Sequence, residues 1–270
     1  MSTVAQPTPR SQRRRRPNVR TVAGVVLPLA TLALLVVAWE LATRIFDWPI
    51  WLVPGPDDVW SALVENRSLL PRHFRVTLVE TLGGFALAIV LGIPLAVAIA
   101  SSKLLERTIY PVLLGLNAVP KIAIAPILVL WMGFGYGPKI VVTFLLCIFP
   151  IVISTATGLK STPPELVELV RSLDASRLAL LRRVRFPSAL PHIFVGLKVA
   201  ISLAVIGAVI GEFVGAEAGL GYVIIASGSN VDTSLAFGAM VLLGVLSVAL
   251  FYAIVGIERL LVPWARHEER

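Results

Sequence analysis

KIVVTFLLCIFPIVISTATGLK (139–160) runs directly into STPPELVELVRSLDASRLALLRRVRF (161–186) and then into PSALPHIFVGLKVAISLAVIGAVI (187–210). The outer pieces are long apolar runs. The middle piece concentrates arginine in a chain of which only 15% is charged. An apolar run of about 20 residues, wound as a helix, matches the hydrocarbon thickness of a bilayer. A helix is also one of the few structures that satisfies its own backbone hydrogen bonds in lipid. The stretch therefore reads as a span over about Lys139–Thr157, a charged loop over 158–187, and a span over about Ala189–Ile210.

Toward the N-terminus the same pattern repeats. A basic tail, with Arg10, Arg13, Arg14, Arg15, Arg16 and Arg20, precedes an apolar run from Thr21 to about Phe46. That run is too long for a signal peptide and reads as an uncleaved first span. The tail suits anionic lipid or simply holds the N-terminus in the cytoplasm. Residues 48–74 hold Trp48, Trp51 and Trp60, which fit an interfacial belt, and an amphipathic stretch, VWSALVENRSLL, capped by Asp57 or Asp58. A second span covers about Val76–Ala100. A third, about Thr108–Gly133, contains Pro111, Pro120 and Pro126 and should divide into two helical pieces near Pro120. Toward the C-terminus come a glycine-rich stretch after Glu212, readable as a re-entrant gate or as an ordinary loop, and a last span over about Leu235–Leu261.

The fold class is thus all-α: a polytopic membrane protein with about six transmembrane helices. Its parts are a disordered basic cytoplasmic tail (1–20), a transmembrane domain (21–262) and a short cytoplasmic tail (263–270). Composition agrees: 57% of the 270 residues are hydrophobic, and mean hydropathy is +0.86. A net charge of +8 in so apolar a chain reads as basic cytoplasmic loops, not as nucleic-acid binding. With six spans, the N-terminal arginines, Lys103, Arg107, the 158–187 loop and Arg266 share one side. Arg67, Arg72, Arg75 and Lys139, balanced by acids, share the other. The first side should be cytoplasmic, with both termini inside. One cysteine, Cys147, excludes an intrachain disulfide framework. His73, His192 and His267 have no metal-ligand spacing, and Glu40 and Glu80 read as structural residues near helix ends.

Within 158–187 the sequence suggests a short helix starting after Ser161 or Thr162, a turn at Asp174-Ala175-Ser176, and a second helix broken by Pro187 and Pro191. By composition alone this is a helix lying on lipid. Its pattern resembles the coupling-loop signature of ABC-transporter permeases: Glu-Ala-Ala, three residues, Gly, nine residues, Ile, one residue, Leu-Pro. Glu168 takes the glutamate position, Leu169 and Val170 stand for the alanines, Asp174 stands for the glycine, and Val184, Phe186 and Pro187 close the motif. Aspartate accepts turn geometry better than most residues.

Nearly the whole chain after the basic tail is similar to six-helix permeases of the nitrate, sulfonate and taurine importer branch. NAVPKIAIAPILVLWMGFGYGPKI and GAVIGEFVGAEAGLGYVI look closer to members handling thiamine-pyrimidine precursors or riboflavin. The resemblance implies a bacterial inner-membrane importer subunit working as a homodimer on two ABC ATPase subunits, with an extracytoplasmic binding protein delivering a small organic anion or vitamin precursor. It implies ATPase coupling through Glu168, Asp174, Arg177, Arg182, Val184 and Pro187. No G-x-x-x-x-G-K-[ST] phosphate loop occurs, so ATP would be bound by the partner and this chain would be no enzyme. Asn117, Pro120, Lys121 and Glu212 are the candidates for lining the translocation path. Lys121, a charge at bilayer depth, either attracts an anionic substrate or pairs with a carboxylate or snorkels. An ion-driven carrier is the alternative class, though such carriers often show internal repeats and none is evident here.

Overall fold

The structure, a computed structural model, describes residues 19–264, with side chains from Val26 onward. The rest of the expected basic tail and of the C-terminal tail lies outside these residues. All regular structure among the described residues is helical. The chain divides at Pro49 into two units.

In the first unit, α1 (Val19–Ile45) contains Pro28, and from Val26 it is apolar on every side until its last turns, where Glu40 pairs with Arg44. From Val26 to Ile45 it is 20 residues long with none buried, so lipid is the solvent that suits it.

The second unit begins with α2 (Pro56–Glu65). Asp58 is not its N-cap. Gly55 is, and the Asp58 carboxylate accepts from the Gly55 N–H at 3.0 Å, as the reciprocal half of a capping box does. The helix stops at Glu65, short of the whole amphipathic stretch, because Asn66 turns the chain. Next comes α3 (Leu70–Ser101), which starts two turns earlier than apolarity suggests, with Pro71 in its first turn. α4 (Lys103–Ala118) and α5 (Lys121–Met132) meet at a 90° bend, where Val119 and Pro120 are extended. Pro120 divides the span as expected, while Pro111 and Pro126 stay inside helices. α6 (Tyr136–Lys160) follows.

The bend does not return α5 to the side where α4 began. Glu106, at the start of α4, pairs with Lys160 at the end of α6. Leu113 packs with Val152 and Ala156, and Ala125 and Leu128 pack with Val142 near the start of α6. Contacts thus move along the full length of α6, so α4 and α5 together form one broken span. With it the described residues hold six candidate spans.

α7 (Pro164–Ser172) and α8 (Arg177–Leu180) make the loop between α6 and α9 (Phe186–Gly215). A π-helical turn over Leu181–Arg185 joins α8 to α9. α10 (Leu220–Ser229) and α11 (Thr233–Leu261) complete the chain. The end of the bundle carrying α7 and α8 is the near end. Both ends of α10 lie at the far end, between the top of α9 and the start of α11. α11 then crosses back, so that Val262 packs with Leu159 and Ala189.

α6 and α9 form the most extensive contact. The reason is a stripe of small residues along α9: Gly196, Ala200, Ala204, Gly207 and Gly211. At Gly207 an added Cβ would lie 2.6 Å from the Thr143 Cα, and at Gly211 it would lie 2.9 Å from the Lys139 Cα. Small residues let backbones approach where lipid gives no hydrophobic drive between helices. The core around this seam holds Phe85, Cys147, Ile151 and Ile201, with the Cys147 thiol donating to the Ala200 carbonyl at 3.2 Å.

Candidate functional site

Three places hold the residues singled out in the sequence. At the near end, α7 closes in a Schellman turn. The Asp174 N–H donates to the Arg171 carbonyl at 3.0 Å and the Ala175 N–H to the Val170 carbonyl at 3.3 Å, which is the paired bonding of that motif. Asp174 sits in the left-handed region, φ +54, where glycine is the usual residue. Ser176 then caps α8, accepting from the Ala179 N–H at 3.2 Å. The expected turn is present, but α7 is entered through Pro163 with no side-chain cap from Ser161 or Thr162.

The second helix is not broken at Pro187 or Pro191. The Phe186 N–H reaches back to the Leu181 carbonyl, and this five-residue step absorbs the misfit before Pro187, which lies in the first turn of α9. Pro191 stays within α9. Glu168, Asp174, Arg177 and Arg182 are exposed, and Val184 and Pro187 are half-buried. Around Glu168, Leu166, Leu169, Leu173 and Leu178 are also exposed, Leu173 to 74%. Val167 and Leu180 turn inward instead.

At the bend, Lys121 has no carboxylate partner among the described residues. Its ammonium donates to the Asn117 backbone carbonyl and, at 2.9 Å, to the Asn117 side-chain oxygen. It therefore serves a carbonyl freed at the end of α4, where a cation is favoured. Asn117 and Lys121 line one cavity of about 340 Å³ together with Phe144 and Phe149. Pro120 supplies the turn into α5.

The far end holds a buried polar cluster. Glu212 is not beyond the fifth span: α9 continues to Gly215, and Glu212 is 2% exposed. One of its carboxylate oxygens accepts from the Thr77 hydroxyl at 2.6 Å, the other from the Gly221 N–H at 2.5 Å. The Leu220 N–H donates to the Thr77 oxygen at 2.8 Å, and the Gly219 N–H to His73 Nδ1 at 3.0 Å. Three of the opening N–H groups of α10, those of Gly219, Leu220 and Gly221, which have no partners inside their own helix, are thus received by α3 and α9. A carboxylate at that helix start is also favoured by the helix dipole. Gly219 has φ +124, and a side chain there would collide with the Glu212 carboxylate. Beside this, Glu80 and Lys139 form an ion pair at 2.9 Å with side chains 0% and 6% exposed.

Glu80, expected near a helix end, lies well inside α3, while Lys139, expected at the outer start of its span, and His73, expected at an interface, are buried in the first turns of α6 and α3. All three come together with Thr77 and Glu212. One signal was present: Glu80 is a charge within the apolar part of a span, where charges usually find partners, and Lys139 is an opposite charge at the start of another. Among the described residues no group of His, Cys, Asp and Glu could hold a metal ion.

Comparison with known proteins fits this arrangement. The family described as binding-protein-dependent transport system inner membrane component matches residues 88–267. The chain is 37% identical to the formylaminopyrimidine transport permease ThiX of Halalkalibacterium halodurans, over 89% of this chain and 96% of that one. It is 37% identical to the riboflavin transport system permease RibX of Chloroflexus aurantiacus, over 92% and 95%. A chain of the methionine ABC transporter MetNI, solved in inward-facing conformations, shares the fold: TM-score 0.66, 23% identity, over 73% of this chain and 98% of that one. With six candidate spans, a charged helix pair at one end and this coverage by relatives, the chain belongs to the binding-protein-dependent transport system inner membrane components, the multi-pass permease subunits of ABC importers.

Proposed function

We propose that the chain forms, as a homodimer, the substrate path of a bacterial importer and couples it to ATP hydrolysis by a separate ATPase bound at the near end. One observation carries this reading: α7 and α8 present a cluster of exposed leucines around Glu168, outside the bundle. Such a patch on a short, arginine-rich helix pair suits a protein groove. Glu168 is the polar docking contact, Arg177 and Arg182 reach the partner's surface, and Asp174 fixes the angle between the two helices. Val184 and Pro187 tie the pair to α9, so that movement of the ATPase reaches the small-residue seam with α6. ATP belongs to that partner.

The near end is cytoplasmic in this reading, because Lys103, Arg107 and the arginines of 171–185 lie there, and both termini are then inside. The far end receives substrate from an extracytoplasmic binding protein. Similarity to permeases for formylaminopyrimidine and riboflavin favours a vitamin precursor or a related small organic molecule as cargo. Asn117, Pro120 and Lys121 line the path at the bend, and Glu212 acts behind it by holding α10. Family membership sets aside an ion-driven carrier.

The test is gentle purification of the tagged chain from native membranes. An ATPase with a phosphate-binding loop should co-purify in near-equal amount, and should be lost on Glu168→Ala combined with Leu169→Ala. Recovery of the chain without an ATPase, under conditions that keep other transporters whole, overturns the reading. Transport left unchanged by both Lys121→Ala and Lys121→Arg, with assembly intact, removes Lys121 from the path.

A further inference from the structure

A second cavity, about 340 Å³, opens at the far end between the start of α3, the α5–α6 loop and the α9–α10 loop. Its volume is at the small end of the range for small-molecule sites. Its floor is the Glu80–Lys139 pair, already neutralised internally. Arg72 and Glu217 also line it. Both are exposed, and neither has an ion partner among the described residues, although they carry opposite charges and face the same space. Phe134 and Tyr136 supply the apolar wall. Phe134 is 77% exposed, and Gly133 (φ +74) and Gly135 (φ +136) turn the chain on either side of it. Its ring lies against Gly215, where an added Cβ would come within 3.1 Å.

From this geometry we infer that the cavity binds a small dipolar molecule of zero net charge, a flat ring carrying an amine or amide donor at one end and an acceptor at the other. The ring rests against Phe134 and Tyr136. The donor end meets Glu217 and the acceptor end meets Arg72. A plain anion gains from Arg72 and loses at Glu217, so the site discriminates against it. This inference rests on the importer reading for its meaning: the cavity is the first place where cargo released at the far end touches the permease.

The test uses the full-length chain, purified as it comes from the membrane and placed in nanodiscs, with formylaminopyrimidine as the dipolar probe and methanesulfonate as the anion. Binding is read by saturation-transfer NMR and titrated. Arg72→Glu and Glu217→Arg should each weaken the pyrimidine by about tenfold or more, the scale of one lost charge-assisted hydrogen bond. The double exchange Arg72→Glu/Glu217→Arg should recover most of that loss, since a dipolar ligand can bind reversed. Methanesulfonate should bind more weakly than the pyrimidine throughout.

No binding of the pyrimidine by the unaltered chain, equal binding by all variants, or tighter binding of methanesulfonate overturns the inference. So does a loss confined to capture of the binding protein, which assigns the cavity to protein docking. ATPase co-purification is scored on the same preparations. Its absence in the unaltered chain defeats the importer reading and leaves the binding result to be judged alone.

Discussion

The two ends of the bundle use charge in opposite ways. At the far end, Glu80, Lys139 and Glu212 are buried and each is matched by an ammonium, a carboxylate, a hydroxyl or a backbone N–H. At the near end, Glu168, Arg177 and Arg182 are exposed, and leucines stand exposed beside them. A buried, matched cluster fixes its surroundings, because every group in it is costly to leave unpaired. An exposed mixture of leucine and charge is unfinished and awaits a partner surface. The buried cluster is therefore a fixed footing beneath the far-end cavity, and the near-end patch is a surface built to join something else.

The comparison breaks most readily at the ion pair. Lys139→Met leaves the Glu80 carboxylate buried without its cation and should cost about 3–5 kcal/mol, seen as a large fall in thermal stability in detergent. Lys139→Met with Glu80→Gln should be much closer to the unaltered chain. If the double variant is no better than the single one, the far end is not held by this pair. The near end should behave in the reverse sense. Glu168→Ala with Leu169→Ala should leave the chain's own melting temperature unchanged while weakening ATPase capture by about 30-fold, an effect of about 2 kcal/mol.

Between the two ends, Gly207→Val should force α6 and α9 apart at Thr143 and cost about 1–3 kcal/mol, read by the same melting assay. Gly244→Ala, with open space around its Cβ position, is the control and should be neutral or slightly stabilising in its helix. The smallest effect is expected at the turn. Asp174→Gly relieves a left-handed aspartate and should raise stability by about 1 kcal/mol or less. Asp174→Val should lower it by a comparable or larger amount.

Much of this was legible beforehand. The spans announce themselves by apolar length, and the break at Pro120 by a residue that cannot donate its amide. The turn at Asp174-Ala175-Ser176 was readable from its turn-forming residues, and the resemblance to the coupling-loop signature put a glycine position at Asp174. The far-end cluster was not legible, because its members are scattered along α3, α6 and α9 and meet only when the helices pack. Glu212 was misplaced because a carboxylate in an apolar run looks like the end of that run; its partners at Thr77 and Gly221 are what permit α9 to continue past it. Lys121 posed the same difficulty, since its partner is a backbone carbonyl, which no sequence pattern marks.

The π turn at Leu181–Arg185 carries a consequence for tolerance to length change. It holds one residue more than an α-helical turn would. The turn itself takes up that residue, because the Phe186 N–H meets the Leu181 carbonyl where an α-helix would offer the carbonyl four residues back. Removing one residue there should restore α geometry and leave Glu168 and its leucines facing much the same way. Removing one residue further into α9 meets no such slack and would turn the loop by about 100° relative to the rest of that helix. Length change in this segment is therefore tolerated at one turn and changes the direction of the loop beyond it.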